Sequence, residues 1–433
     1  MTTPDAIVIG AGVIGAATTL ELQRAGFRTL CLDRNPAAGY GSTSSSCAVI
    51  RTFYSTLEGC AFAQEGYHYW KRWGEYLGVA DERGLVRFHE TGCLVMKTKA
   101  NDFLRPMLDR VGKAGIPFEE WSAADIARRL PFLDLRLYAP PRRPDEEGFG
   151  EPTGGKIAGA VYFPEAGYVS DPQLATHNLQ RAAEAAGARF RFNAEVTSIA
   201  KDAGGRIAGV ELAGGERIAA AIVVNVAGPR SAKVNALAGA LADMKIATRA
   251  LKREVAHVPA PVPGYETSGI VVSDSDIGCY SRPETGNKIL IGSEDPACDV
   301  RQWVDYDTYD RSFTEQVRNQ VLRAAQRIPS LPIPNAIQGV VDCYDVSDDW
   351  MPIYDRSCVP GFYMAIGTSG NQFKNAALSG AVMAKLIAAC ESGRDHDRAP
   401  VMYTGRYTGR AFDLSFFSRL RDVNRASSFS VLG

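Results

Sequence analysis

The opening strand, turn and helix constrain this chain more than any other stretch. Residues 5–9, Asp-Ala-Ile-Val-Ile, read as a short buried parallel strand running straight into Gly10-Ala11-Gly12-Val13-Ile14-Gly15. Residues 16–25 carry apolar side chains at helical spacing and stop before Gly26, and a second strand over 29–32 ends on Asp33. Gly10 permits the tight turn, Gly12 leaves bare backbone for a pyrophosphate, and Gly15 lets the helix pack close to the strand. The unpaired N–H groups of the helix start, at Val13 and Ile14, face the phosphates. Asp33, with Arg34 beside it, is placed to accept both ribose hydroxyls. A carboxylate there repels a 2′-phosphate, so NADP is disfavoured and FAD or NAD remains. A glycine-rich turn alone could be an empty loop; the strand before it, the helix after it and the acid beyond favour a dinucleotide.

With 433 residues the chain has room for two domains, and its net charge of −1, from 48 basic and 49 acidic side chains, gives no electrostatic case for nucleic acid or an anionic membrane. The buried strand begins too near Met1 for a signal peptide, and no apolar run approaches the roughly 20 residues of a membrane span. The expectation is a cytoplasmic protein. Nine scattered cysteines without a C-x-x-C pair suit a reducing compartment, and five histidines without ligand spacing predict no metal.

A small polar stretch, 39–48, contains Ser42, Thr43 and Ser44 and leads to Arg51. It reads as a flexible loop, or as a loop that opens a helix and offers N–H groups and hydroxyls to a cofactor lying across the sheet. Arg51 fits a surface ion pair or an anion site equally. Residues 61–77 form an amphipathic helix whose aromatics belong to a core. Residues 85–96 and 270–292 read as strands of a second, sheet-based domain, and 101–114 and 122–129 as helices. Residues 139–155, rich in proline, glycine and charge, form a surface loop. The first pattern then returns: a helix over 173–186, strands over 189–192 and 194–199 (the latter bearing Val196), a hairpin, and a buried strand over 221–226 closing on Ala227-Gly228-Pro229. The dinucleotide domain is therefore discontinuous.

Several motifs occur in a telling order: Gly10-x-Gly12-x-x-Gly15, Tyr162-Phe163-Pro164-Glu165-Ala166-Gly167-Tyr168-Val169-x-x-Pro172, Val223-Val224-Asn225-x-Ala227-Gly228-Pro229, Tyr280-x-Arg282-Pro283-Glu284 and Gly367-Thr368-Ser369-Gly370-x-x-Phe373-Lys374. Together they resemble the FAD-dependent D-amino-acid-oxidase-like (DAO) family, in its sarcosine oxidase and dimethylglycine dehydrogenase branch. The resemblance implies an α/β fold: a glutathione-reductase-like Rossmann domain for FAD over 1–80, 156–235 and 338–433, and a smaller mixed-sheet α+β substrate domain over 81–155 and 236–337. It implies oxidation of an amino acid, usually N-alkylated, by hydride transfer to the flavin, giving an imine that water hydrolyses. Arg51 matches an arginine of the branch, Lys374 its carboxylate-binding lysine and Tyr280 an active-site tyrosine, although a sheet aromatic in the core explains Tyr280 as well. A glycine-rich entry at Gly367 and Gly370 opens an apolar helix over 371–389, whose N-terminal groups at Asn371, Gln372 and Phe373 would stabilise negative charge on reduced flavin. Lys374 has the wrong sign for a helix start, which is easier to understand if it serves a ligand.

Three positions depart from the branch. The flavin-linked cysteine position falls on Asp342, and Cys343 is one residue off, so non-covalent FAD is expected. The oxygen-activating lysine position holds Leu290, so either O2 or another electron acceptor remains open. Arg230 replaces a tryptophan. Alternative readings are a D-amino, cyclic imino or hydroxy acid as substrate, and a non-catalytic NAD-binding module.

Overall fold

The computed structural model describes residues 3–99, 101–102 and 104–432. Two sheets organise the chain. The first has six strands in the order Ile353–Arg356, Phe362–Ile366, Ile222–Asn225, Ala6–Ile9, Thr29–Leu32, Arg189–Arg191. Its central pairs are parallel, and only the Ile353–Arg356 edge runs antiparallel. The middle of such a sheet is buried on both faces, which explains why its four central strands are nearly continuous apolar runs while the edge strands carry arginine. Alternation sorts the opening strand: Ala6 and Val8 join a core with the helices, and Ile7 and Ile9 join one on the opposite face.

The helix Val13–Arg24 covers one face and packs on Pro172–Ala185 and Ala376–Glu391. Gly380 is what lets the last of these approach, since a Cβ there would lie 2.6 Å from the backbone of Ala17. The run Phe373–Glu391 is long and apolar enough to cross a membrane by composition, contrary to the sequence expectation, but 67% of its most apolar window is buried in protein, as in a core helix. Helix Pro172–Ala185 starts sharply because Asp171 accepts from the N–H groups of Gln173 and Leu174 and proline occupies the first turn.

The second sheet runs Trp303–Val304, Thr248–Pro259, Lys288–Ser293, Cys279–Glu284, Val271–Asp274, Cys93–Met96, Gly159–Phe163, Glu119–Ser122, with Gln338–Ser347 paired along Thr248–Pro259. Gly159–Phe163 and Gln338–Ser347 thus hydrogen-bond into this sheet, although the sequence boundaries place both in dinucleotide segments. A reading from hydrophobicity sees a buried strand but not which sheet takes it. The aromatic helix divides into Leu57–Lys71 and Trp73–Leu77, and the helix of 101–114 is Leu104–Lys113, with Phe103 outside the described residues.

Candidate active site

Between the carboxyl ends of the parallel strands and the second sheet lies a cavity of about 690 Å³, the crevice where open parallel sheets hold ligands. One end is the glycine turn. Gly10 has φ +110°, and a Cβ there would strike Val226 O at 2.4 Å; on Gly15 it would strike Gly10 O at 1.8 Å. Asp33 accepts from Ala11 N (2.6 Å) and Asn35 N (2.7 Å), and burial raises its pKa. Thr43 Oγ1 accepts from Val13 N at 3.1 Å, so the polar loop is clipped to the helix start. That loop consists of turns leading into the short strand Val49–Ile50, not into a helix. Ser44 and Ser46 are satisfied within the loop, by Gly41 O and Ala48 N, whereas Ser42 and Ser45 reach out of it.

Of the residues singled out from sequence, Gly10, Gly12, Val13, Ile14, Gly15, Asp33, Arg34, Ser42, Thr43, Arg51, Val196, Ala227, Gly228, Tyr280, Gly370, Asn371, Gln372, Phe373 and Lys374 all line the cavity. Two do not. Ser44 turns its hydroxyl to Gly41 O (2.9 Å), and Gly367 lies behind the wall, donating its N–H to Asp345 at 2.6 Å. Asp345 O also takes Ser369 N (2.7 Å), so the glycine entry offers fewer free N–H groups than its sequence suggests. Residues 371–375 wind as loop and a 3-10 turn before the helix proper starts at Ala376. Lys374 is therefore ahead of that helix, which removes the conflict with its dipole.

At the far end of the cavity stand two buried cations. Arg51 gives its guanidinium to the carbonyls of Phe53 (2.5 Å) and Val431, and Lys374 Nζ donates to Tyr54 Oη (2.8 Å) and Asn371 O (2.7 Å). Both lie against Tyr54, at 4.5 Å for Arg51 and 5.1 Å for Lys374 from its ring centre. Neither has a carboxylate within 4.0 Å among the described residues, whereas every other buried basic side chain there does. Burial first, and Arg51 second, drive the Lys374 pKa well below its ordinary value.

The profile of the FAD-dependent oxidoreductase family, DAO, matches residues 5–386. The chain belongs to this family. A glycine oxidase of Geobacillus kaustophilus is 26% identical over 437 residues, covering 97% of this chain and 98% of that one, and the β subunit of a sarcosine oxidase from Rhizobium meliloti is 24% identical, covering 89% and 84%. The crystal structure of an L-proline dehydrogenase from P. horikoshii superposes with TM-score 0.74 at 20% identity over 97% of both chains.

As a DAO-family oxidoreductase the protein takes FAD, and the reading as an NAD-binding module falls. The residues fit that cofactor: bare glycine backbone at the turn, where a Cβ on Gly12 would press on Thr43 Oγ1 at 3.1 Å, and the Asp33 carboxylate on the same wall. Arg230 in this DAO enzyme pairs with Glu195 and Asp307, each at 2.9 Å, and Arg34 and Lys233 reach Asp307 at 2.8 Å. The cluster straps residues 305–307 across the dinucleotide end, which gives the departure at Arg230 a purpose. Leu290 is buried opposite Arg282.

Asp342 takes hydrogen bonds from Ser42 (3.3 Å) and Ser45 (3.2 Å), while Cys343 packs with Ala250 and Tyr306, where burial pushes its thiol up to about 12. The Tyr280 hydroxyl and the Cys47 thiol share a hydrogen bond of 2.9 Å. Sequence reasoning missed Tyr54, Glu294, Asp295 and the segment 428–432, all of which line or brace the cavity, while Arg253, one of three candidates from sequence for a further cation near the flavin, lines it paired with Asp295. Only Tyr54, three residues past Arg51, had a sequence position that hinted at it. Asp81, Glu82 and His177 come within metal-binding distance of one another, yet Asp81 already takes hydrogen bonds from Arg83 N, Asn178 and His177.

Proposed function

We propose that this FAD enzyme oxidises a small amino acid carrying a carboxylate, foremost an N-substituted glycine such as sarcosine or dimethylglycine. The observation that carries the reading is the pair Arg51 and Lys374, two buried cations in one cavity with no carboxylate of their own. A buried unpaired charge is costly, and an incoming substrate carboxylate supplies the missing partner. Arg51 offers a planar fork and Lys374 a point charge, so one carboxylate can be held in a fixed orientation by both. Ligand binding would return Lys374 toward its ordinary pKa and so favour its ammonium form. Bound FAD supplies the two-electron acceptor. The chain's contribution is to fix the substrate's α-carbon and exclude water, with the roof formed by residues 428–432. The relatives' names, glycine oxidase and sarcosine oxidase subunit beta, agree with a small amino acid.

Cys343 lines the cavity, but its thiol is buried against Ala250 and Tyr306 and held neutral, so we propose that the flavin is held non-covalently, and nine unpaired thiols fit a cytoplasmic setting. Acid precipitation should leave the yellow chromophore in solution. Anaerobic titration with sarcosine, dimethylglycine and glycine should bleach it. Bleaching by hydroxy acids alone would replace this reading with that of a hydroxy-acid enzyme. Re-admitting air then separates an oxidase, whose colour returns at once, from a dehydrogenase that needs another acceptor.

A further inference from the structure

A carboxylate is conspicuous in the same chamber. Glu294 follows the strand Lys288–Ser293 and faces the cavity. Ser273 donates to its Oε1 at 2.5 Å and Ser275 to its Oε2 at 3.0 Å, which fixes the carboxyl plane and leaves acceptor capacity on both oxygens. No basic group among the described residues lies within 4.0 Å of it, although its neighbour Asp295 is held by Arg253. Cys93 packs in one cluster with Tyr54, against which Arg51 and Lys374 lie, and with Val271, two residues before the Ser273 that holds Glu294. Asp33, Asp342 and Asp345 also line the cavity without a basic partner among the described residues, but they sit on the glycine turn, the serine loop and Gly367 N; Glu294 is the carboxylate that shares the Cys93 stretch with the two cations, the complement of a zwitterion.

We propose that Glu294 anchors the protonated nitrogen of the substrate, opposite the carboxylate clamp of Arg51 and Lys374, and so selects amino acids over amine-free carboxylates. The inference rests on the amino-acid reading above and adds the residue that reads the nitrogen. Two N–H or N–CH substituents can vary while one N–H⁺ remains to meet Glu294, so secondary and tertiary amines satisfy it equally. Serine contacts fix Glu294 as they fix Asp342, but only Glu294 is held beside the strand whose Cys93 packs with Tyr54 under the two cations, where a buried carboxylate without a counter-ion is offset by an incoming ammonium.

Charged and titratable groups around Glu294 are already committed elsewhere. Asp274 pairs with Arg327 and Asp295 with Arg253; Asp299, beyond Cys279, pairs with Arg323. Cys93, Cys279 and Tyr280 are all pushed up by burial and stay neutral. Burial, with a smaller push from Asp274, brings Glu294 itself up to about 7.

The test uses the FAD-loaded protein and two probes that cannot be oxidised at the α-carbon: 2-aminoisobutyrate, a zwitterion, and trimethylacetate, its amine-free counterpart. Binding is read from the perturbation of the visible flavin spectrum. Glu294→Gln should weaken the zwitterion on the order of ten- to a hundredfold and leave trimethylacetate within about twofold. In the wild type, with no substitution at all, preference for the zwitterion should grow as pH rises through about 7. Equal weakening of both probes, no change in either, or a pH-independent preference would overturn the assignment of Glu294 while leaving the carboxylate clamp standing. A wild type that binds neither probe would instead overturn the amino-acid reading, and this inference with it.

Discussion

Two sets of buried cations sit within this molecule, and they obey different rules. Arg327, 2% exposed, lies under the second sheet with Asp274 at 2.7 Å and Asp276 at 2.9 Å, and it also donates to the carbonyls of Asp134 and Arg136. Arg419 is held in the same way by Asp355, Asp397 and Asp243. Arg51 and Lys374 are nearly as buried, at 8% and 4%, and have only neutral oxygens. The first set has its counter-charges within the protein and holds loops to sheets; the second has none among the described residues. Burial alone does not mark a functional cation. Burial without a counter-charge does, because the fold sustains that cost only where a ligand offsets it.

The largest effect separating the sets should be on stability. Arg327→Met strands two buried aspartates and should cost about 3–5 kcal/mol in denaturant unfolding, while Arg51→Met, which strands no acid, should leave stability unchanged or raise it. If Arg51→Met proved the more damaging to the fold, the distinction would collapse. Activity should invert the order. Arg51→Met should lower kcat/KM for sarcosine on the order of a hundredfold through lost orientation, and Arg327→Met, once folded, should lower it little.

A smaller effect follows from Lys374 and has a definite sign. Its folded pKa is depressed, so between that value and the ordinary 10.5 the unfolded chain binds a proton that the ligand-free native state does not. Stability of the ligand-free protein should therefore rise with pH across that window, by up to about 1.4 kcal/mol per unit from this one group. The rise should vanish in Lys374→Met and flatten under saturating trimethylacetate, which returns the lysine toward its ordinary pKa. A slope unaffected by either would mean that the carboxylate is bound elsewhere.

How far sequence reaches into this comparison depends on what sets each feature. The strand, turn and helix of 5–25 are legible because their causes are local: apolar run, glycine geometry, helical spacing. Thr29–Leu32 and Ile222–Asn225 are legible for the same reason. Arg51 and Lys374 come from motif order, but their lack of partners does not, because it depends on which acids the fold carries away. Glu294 is one glutamate among many until Ser273 and Ser275 are brought to it from another strand. Gly367 and Ser44 stay off the cavity wall for a similar reason: each looks available in a glycine- or serine-rich string, yet Asp345 and the loop's own carbonyls take their hydrogen bonds.

Tyr280 tests the comparison at its weakest point, since its group is neutral. Its ring is pressed onto the strand beside it, where a Cβ on Gly292 would lie 2.3 Å from the ring, so packing alone already explains an aromatic there. Its hydroxyl is spent on Cys47 Sγ at 2.9 Å rather than left open as the two cations are. An open group waits for a ligand; a satisfied one holds a wall. Tyr280→Phe keeps the ring and removes only that bond, so kcat/KM should fall by less than about tenfold, with about 0.5–1.5 kcal/mol lost in stability. A fall as large as that of Arg51→Met would place the hydroxyl on the substrate, and would mean that a satisfied hydrogen bond at this wall is exchanged for a substrate contact when the cavity fills.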